Sequence, residues 1–327
     1  MKARLLTTSV FFLIGIGLSF IPKQAHSQNV KYTIVTDDPD YKNLFIGLNA
    51  FDAISYDPNT GLGFNLFANA LVGSKLQLDI DYKKGYSDDN AGGVFAPEGL
   101  KKYWSLQVGG AYNLSTGYKT RKARVVLSSV TTGNYVHTRY IMVPAKFKRI
   151  WAVHGGLQNF YNNCQVDNDI LKVRGENDIQ YKDANGNLKF VFDNVNFETV
   201  NYTMNALGIY AGIDFKSIVN LRVQPDMYKL KGNVKLMNFY ADLLFTPVVN
   251  YHLKPNSRQG QLDGIDINIS ENKRSVLGWR FGWKAELGRM AGFSFKAEVG
   301  QQPGRPDEKF FVSAGMGIHI GAKLKGI

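Results

Sequence analysis

Near the C-terminal end, two stretches carry charge at alternate positions. Arg280, Lys284 and Glu286 share one parity of 277–287, and Lys296 and Glu298 share one parity of 293–300. Residues two apart on an extended chain lie on the same face. Gly288 to Gly292 separates the stretches and reads as a tight turn. A hairpin closed there sets Leu287 against Phe293 and Lys284 against Lys296. Glu298 is then diagonal to Lys284, Glu286 to Lys296 and Arg280 to Glu298, all within reach of long side chains. Asp79 and Asp81 share the corresponding face of 75–83. The chemistry open to such a set is electrostatic. It can line an aqueous passage and shape its field, or its members can pair, fill an interior and stiffen it. His319, on the non-apolar face of the last segment, reads as a lumen-lining, hydrogen-bonded residue.

Signals for catalysis are sparse. The sequence has no P-loop, no dinucleotide fingerprint, no His-Glu-x-x-His and no Gly-x-Ser-x-Gly elbow. Its histidines, at 26, 137, 154, 252 and 319, have no metal-ligand spacing. Ser313 and His319 share a face but sit about 20 Å apart along one strand, too far for proton transfer. Asp183-Ala184-Asn185-Gly186-Asn187 begins like a calcium loop, but Asn194 stands where the glutamate belongs. It reads instead as an Asn-Gly hairpin tip. Asp88-Asp89-Asn90 and Asp37-Asp38-Pro39-Asp40 read as solvated loop residues. The single cysteine, Cys164, excludes an internal disulfide and a cysteine-based metal site. The expectation is a non-enzyme with no cofactor and no resident metal.

The elements that hold these residues alternate with a period of two. In 104–114, Trp104, Leu106, Val108, Tyr112 and Leu114 oppose Ser105, Gln107, Gly109 and Asn113. In 277–287, Leu277, Trp279, Phe281 and Trp283 oppose Gly278, Arg280, Gly282 and Lys284. The last segment sets Val312, Ala314, Met316, Ile318 and Ile320 against Phe311, Ser313, Gly315, Gly317 and His319. Segments of about 9–12 residues suit a tilted strand crossing a bilayer, whereas soluble strands more often have about 5–6. Aromatic residues at 13% and 33 glycines, on opposite faces of such strands, fit an apolar outer face and a small or polar inner one.

The expected fold is all-β: a transmembrane antiparallel up-and-down barrel of about 12 strands, or 14 if two weaker segments count. The strands read near 43–53, 61–72, 75–83, 103–114, 121–130, 136–143, 146–157, 202–215, 235–246, 277–287, 293–300 and 309–321. Long connections at 84–102, 158–201 and 247–276 fall in one alternate set, as barrel loops do. The connection 216–234 is too long for a turn and contains Ile218 to Val223, a candidate extra strand. A secreted soluble β-sandwich is the alternative that leaves the membrane out.

Residues 1–27 have the layout of a cleavable signal peptide: Lys2 and Arg4, an apolar run from Leu5 to Ile21, then Ala25-His26-Ser27 before Gln28. A short periplasmic segment, 28–42, precedes the barrel, 43–327. The formal charge of +12 loses three basic residues with the leader. Without a recognition motif nucleic acid is not an expected partner, and anionic headgroups such as lipopolysaccharide are.

This pattern resembles that of Gram-negative outer-membrane β-barrel proteins over roughly 41–327. The Gln-Asn start and Asn/Asp-rich loops are similar to such proteins from Bacteroidota. The resemblance implies insertion by the barrel-assembly machinery and residence in the outer membrane. The chain departs from the family in ending Lys323-Leu324-Lys325-Gly326-Ile327 without a terminal aromatic. Two roles follow from it. One is a non-enzymatic accessory or scaffold subunit of a secretion, assembly or surface complex, contacting other envelope proteins through the long loops. The other is a narrow porin-like channel or transporter for small solutes.

Overall fold

In the computed structural model the described residues are 25–27, 30–56, 59–86, 102–133, 135–167, 179–182, 185, 188–190, 199–255, 265–266, 268–269, 275–304 and 310–324. Ten strands build the main sheet: β1 (Leu44–Tyr56), β2 (Asn59–Val72), β3 (Leu76–Gly85), β4 (Lys102–Thr132) and β5 (Tyr135–Asp167). They continue as β6 (Thr199–Pro225), β7 (Lys231–Pro255), β8 (Leu277–Leu287), β9 (Ala291–Gln301) and β10 (Phe310–Ala322). Sequential neighbours pair antiparallel, β10 pairs with β1, and β5 pairs with β6 from Asp167↔Thr199 to Phe147↔Val219. The sheet therefore closes on itself as a ten-stranded barrel. It is one closed sheet, not two packed ones, which excludes the β-sandwich. Among the described residues there is no helix.

The expected count of about 12 strands is corrected to ten, because two expected turns are not turns. The chain runs straight through 115–120 inside β4 and through 144–145 inside β5. In 115–120 every residue is exposed. Apolar alternation therefore lapses there while the backbone ladder continues. Pro144 reads as a breaker, yet β5 stops pairing with β6 at Phe147. On that unpaired side a missing N–H removes no ladder bond. Segment 218–223 continues β6 to Pro225 and adds no strand. The count of 14 fails as well. Ile179–Lys182 pairs with Leu188–Phe190 in a separate three-stranded sheet with Asn268–Ile269, so it adds no strand to the barrel, and the Asp183 to Asn187 turn lies, apart from Asn185, outside the described residues.

The chain divides into two compact units. The larger holds residues 39–119, 147–219 and 234–327, and the smaller holds 1–38, 120–146 and 220–233. In the larger unit the inward parity is buried and the outward parity is apolar and exposed. Every strand exposes at least one large apolar side chain, among them Leu48, Leu66, Ile80, Val108, Val153, Ile209, Leu243, Phe281, Phe293 and Ile318. Leu243 is 72% exposed. A soluble monomer rarely shows so continuous an apolar surface.

Connections alternate in length along the chain except at its start, where the two residues 57–58 stand in the long set. Those at 73–75, 133–134, 226–230 and 288–290 are short. Those at 86–101, 168–198 and 256–276 are long, and 57–58 and 302–309 fall in the same set.

The smaller unit is built from the ends of β4–β7 and a further strand, Tyr32–Asp37, which pairs with β6 through Leu221↔Asp37 and Pro225↔Tyr32. Its buried residues include Val125, Leu127, Ile141, Val143, Leu221 and Val223. The Asp37 carboxylate accepts the Lys146 backbone N–H at 2.8 and 3.0 Å. The Asn220 side-chain amide donates to the Asp38 carbonyl at 2.7 Å. These bonds tie the incoming segment where β5 and β6 cease to pair.

Candidate functional site

Alternation sends one parity of each barrel strand into the lumen, and neighbouring strands supply opposite charges there. The hairpin β8–β9 has Lys284↔Lys296 and Leu287↔Phe293 as facing pairs. Two lysines face one another across this pair, so each needs an anion from elsewhere. Both find Asp81 of β3: its Oδ2 lies 3.0 Å from Lys296 Nζ and 3.5 Å from Lys284 Nζ. Asp81 Oδ1 accepts from the Asn65 amide at 2.8 Å, Asn65 Oδ1 accepts from Asn49 at 3.1 Å, and Ser294 donates to Asn49 at 2.5 Å.

Glu298 is the second anionic hub. It accepts from Lys83 at 2.8 Å, Tyr240 at 2.6 Å and Ser313 at 3.2 Å. Lys296 and Arg280 each lie 3.3 Å from it. Lys83 also approaches Asp52 at 3.6 Å. Arg280 forks onto Asp242, with Nε donating at 2.8 Å and Nη2 closer still, while Nη1 reaches the Gln107 side-chain carbonyl oxygen at 3.0 Å. His154 bridges two carboxylates: Nε2 meets Asp242, and Nδ1 lies 3.4 Å from Asp214. Lys216 closes the chain, 3.2 Å from Asp214 and bonded to Gln77.

The anticipated charged residues are thus placed as follows. Arg280, Lys284, Lys296, Glu298 and Asp81 meet in one network. Glu286 stands apart from it and pairs with Lys42 at 3.5 Å. Asp79 lines the same small cavity as Asp81. His319 is buried, and its Nδ1–H donates to the Phe293 carbonyl at 3.1 Å. Lys42 lies ahead of β1, its ammonium 4.3 Å from the Phe45 ring centre. Burial holds the Lys42 ammonium below its ordinary pKa, against the upward pull of Glu286.

Asp52, Lys83, His154, Asp214, Lys216 and Asp242 were not singled out in the sequence. Each sits on the inward parity of its strand, and that parity was the available signal. The β5–β6 register, hidden by a 31-residue connection, brings His154 to Asp214, and the β7–β8 register sets Asp242 opposite Arg280.

Among the described residues, side chains fill the lumen at the charged layer. Aromatic rings fold across cross-strand glycines: Tyr240 over Gly282, Phe67 over Gly47 and Tyr210 over Gly109, each occupying space that a Cβ would need. What remains among the charges is a cavity of about 40 Å³, bounded by Asp79, Asp81, His154, Asp242, Arg280 and Glu298 with their neighbours. That is room for about one water molecule. An apolar layer of Tyr41, Phe45, Ile150, Ile218 and Leu236 closes one side of the charged layer. Buried Phe160, Met204, Leu244 and Phe311 lie toward the opposite strand ends.

Among the described residues no group of three or more His, Cys, Asp or Glu side chains is placed to hold a metal ion. Asp88-Asp89-Asn90 lies outside the described residues. Among the described residues, Lys83, Lys216, Arg280, Lys284 and Lys296 each pair with a carboxylate of Asp52, Asp81, Asp214, Asp242 or Glu298. A selectivity lining would leave one sign in excess.

No family model matches the sequence, and no curated protein matches it. Among solved structures the chain is similar to the CymD monoaromatic hydrocarbon channel, with 7% identity and a TM-score of 0.31 over 86% of this chain and 89% of that one. It is similar to the P. putida toluene transporter TodX, with 7% identity and a TM-score of 0.25 over 94% and 92%. Outer-membrane expressed OmpT of Vibrio cholerae matches at 8% identity and a TM-score of 0.17 over 88% and 99%. Likeness this slight carries no argument about what the chain does.

Proposed function

We propose that this chain is an outer-membrane β-barrel with a sealed lumen, serving as the non-enzymatic membrane anchor of an envelope complex. The apolar outward parity on all ten strands supports the membrane placement. Short connections lie on the periplasmic side of such barrels and long ones outside, and the alternation of connection lengths follows that rule. Lipid and lipopolysaccharide surround the barrel, the assembly machinery inserts it, and the long loops offer contact area to other envelope proteins.

The observation that carries the anchor role is the filled interior, with paired charges around a cavity of about 40 Å³ between apolar layers. Ten strands fall near the eight of barrels whose side chains fill the interior and well short of the sixteen that leave an aqueous channel. The test is a planar bilayer recording, with insertion verified by a heat-dependent mobility shift on SDS gels. The inserted protein is expected to be electrically silent. Stepwise ion currents from the wild type would overturn the sealed-lumen reading.

One observation favours a second reading, a gated narrow channel. The charged seal named here consists of side chains carried on the wall strands, so breaking ion pairs alone would open it. In that reading Glu298→Ala, which releases Lys83, Arg280 and Lys296 together, converts a silent barrel into a conducting one.

A further inference from the structure

In the smaller unit the strand Ala25–Ser27 pairs in parallel with β5, through Ala25↔Thr138, His26↔Arg139 and Ser27↔Tyr140. These are the three residues that precede the signal-peptidase position at Gln28 in the sequence. We propose that cleavage after Ser27 uncovers the β5 edge at 138–140, and that this edge then takes an extended, acidic–apolar segment of a periplasmic protein by strand addition. The inference rests on the exported, membrane-anchored reading for its compartment only.

Several features of the unit carry it. β5 pairs with β6 only as far as Phe147, so 135–146 has no β6 partner on that side. Among the described residues, Ala25–Ser27 is what pairs with it there. The edge therefore accepts a strand and loses its occupant on processing. An uncovered row of N–H and C=O groups is a template for another chain. Pro144, lacking an N–H, limits the receptive stretch on one side.

Side-chain parity states the chemistry of the incoming strand. Exposed His137 and Arg139 share one face of β5 with Tyr135 and buried Ile141, and Val136, Thr138, Tyr140 and Met142 share the other. A strand laid alongside matches them with acidic residues on one face and apolar residues on the other. Charge points the same way. Without residues 1–27 the unit contains nine basic residues against three acidic, and 120–146 contains no acidic residue. Arg124, 4.3 Å from the Tyr140 ring centre, adds a cation to the apolar face.

The test uses the full mature protein in detergent, with intact mass establishing that the chain begins at Gln28. Three fluorescent peptides of about eight residues, a length that spans the edge, are titrated and read by anisotropy. One alternates Glu and Val, one has two of its valines replaced by proline, and one alternates Lys and Val. The Glu/Val peptide is expected to bind, and the proline version at least about tenfold more weakly, because proline cannot complete the ladder. Arg139→Glu, on an exposed side chain, should weaken the Glu/Val peptide and strengthen the Lys/Val one. A precursor that retains Ala25–Ser27 should bind neither.

Equal binding of the proline peptide, no binding of any peptide, or indifference to Arg139→Glu would each overturn the proposal. So would a purified protein whose mass still includes Ala25–Ser27. Conductance is read separately, so these failures leave the sealed lumen standing, and a conducting barrel leaves the strand-accepting edge standing.

Discussion

Lys296 Nζ donates to Asp81 Oδ2 at 3.0 Å across the lumen, although 215 residues separate them in the chain. Both side chains are almost fully buried, and Lys284 shares the same carboxylate oxygen at 3.5 Å. The contact joins β9 to β3, strands that are not neighbours in the sheet. It therefore bridges the lumen and helps to seal it.

Removing one partner of this pair leaves the other with one remaining counter-charge: Asp81 keeps Lys284 at 3.5 Å, and Lys296 keeps Glu298 at 3.3 Å. Lys296→Met is expected to destabilise the barrel by about 1–3 kcal/mol, and Asp81→Asn by a similar amount. The double variant should recover much of that loss, since neither charge then remains. Urea unfolding in detergent micelles, followed by tryptophan fluorescence, measures all three. Additive losses in the double variant would show that the two groups do not act as a pair.

Tyr240 lies over Gly282 and donates to Glu298 at 2.6 Å. Gly282→Ala places a methyl group where the ring now sits, and overpacking of this kind costs about 1–3 kcal/mol. Tyr240→Phe keeps the ring and loses one bond to a charged acceptor, about 1.5–3 kcal/mol. The two are separable by near-ultraviolet circular dichroism. Gly282→Ala should change the aromatic signal, and Tyr240→Phe should leave its shape nearly intact.

Leu243 points outward and is 72% exposed. With lipid against that face, Leu243→Arg should cost about 2–4 kcal/mol at the bilayer midplane, and Leu243→Phe should be nearly neutral. Refolding yield into lipid vesicles, scored by the gel shift, checks the pair. An arginine tolerated as well as phenylalanine would argue against lipid at that position.

Asp37 accepts the Lys146 backbone N–H through both carboxylate oxygens. Asp37→Ala removes a charge-assisted bond whose exposed donor then turns to water, at a cost of about 0.5–1.5 kcal/mol. The loss should be confined to the smaller unit, seen as faster limited proteolysis within 28–38 while the heat-modifiable barrel band persists.

The sequence made the strand faces and one register legible. Alternation of large apolar with small or polar residues assigned inward and outward parity in the C-terminal strands. The Gly288 to Gly292 turn then fixed Lys284 opposite Lys296. Those features are local, because a period of two and a tight turn are written in adjacent residues. The strand count was not local. Ser115 to Thr120 lost its alternation without losing its ladder, and Pro144 sat where no ladder bond was needed, so two continuous strands read as four.

The sequence by itself determined an all-β chain with two chemically distinct faces, a charged set on the inner one, and a leader-like start. Tertiary structure alone decided that the ring closes between β10 and β1 and in what register β5 meets β6. Through those registers Asp81 became the partner of Lys296 and Asp214 of His154, while the β7–β8 register set Asp242 opposite Arg280. Parity tells a side chain which way to point. Only the closed ring, with its register, decides which opposite charge it meets there and how little space the pairs leave between them.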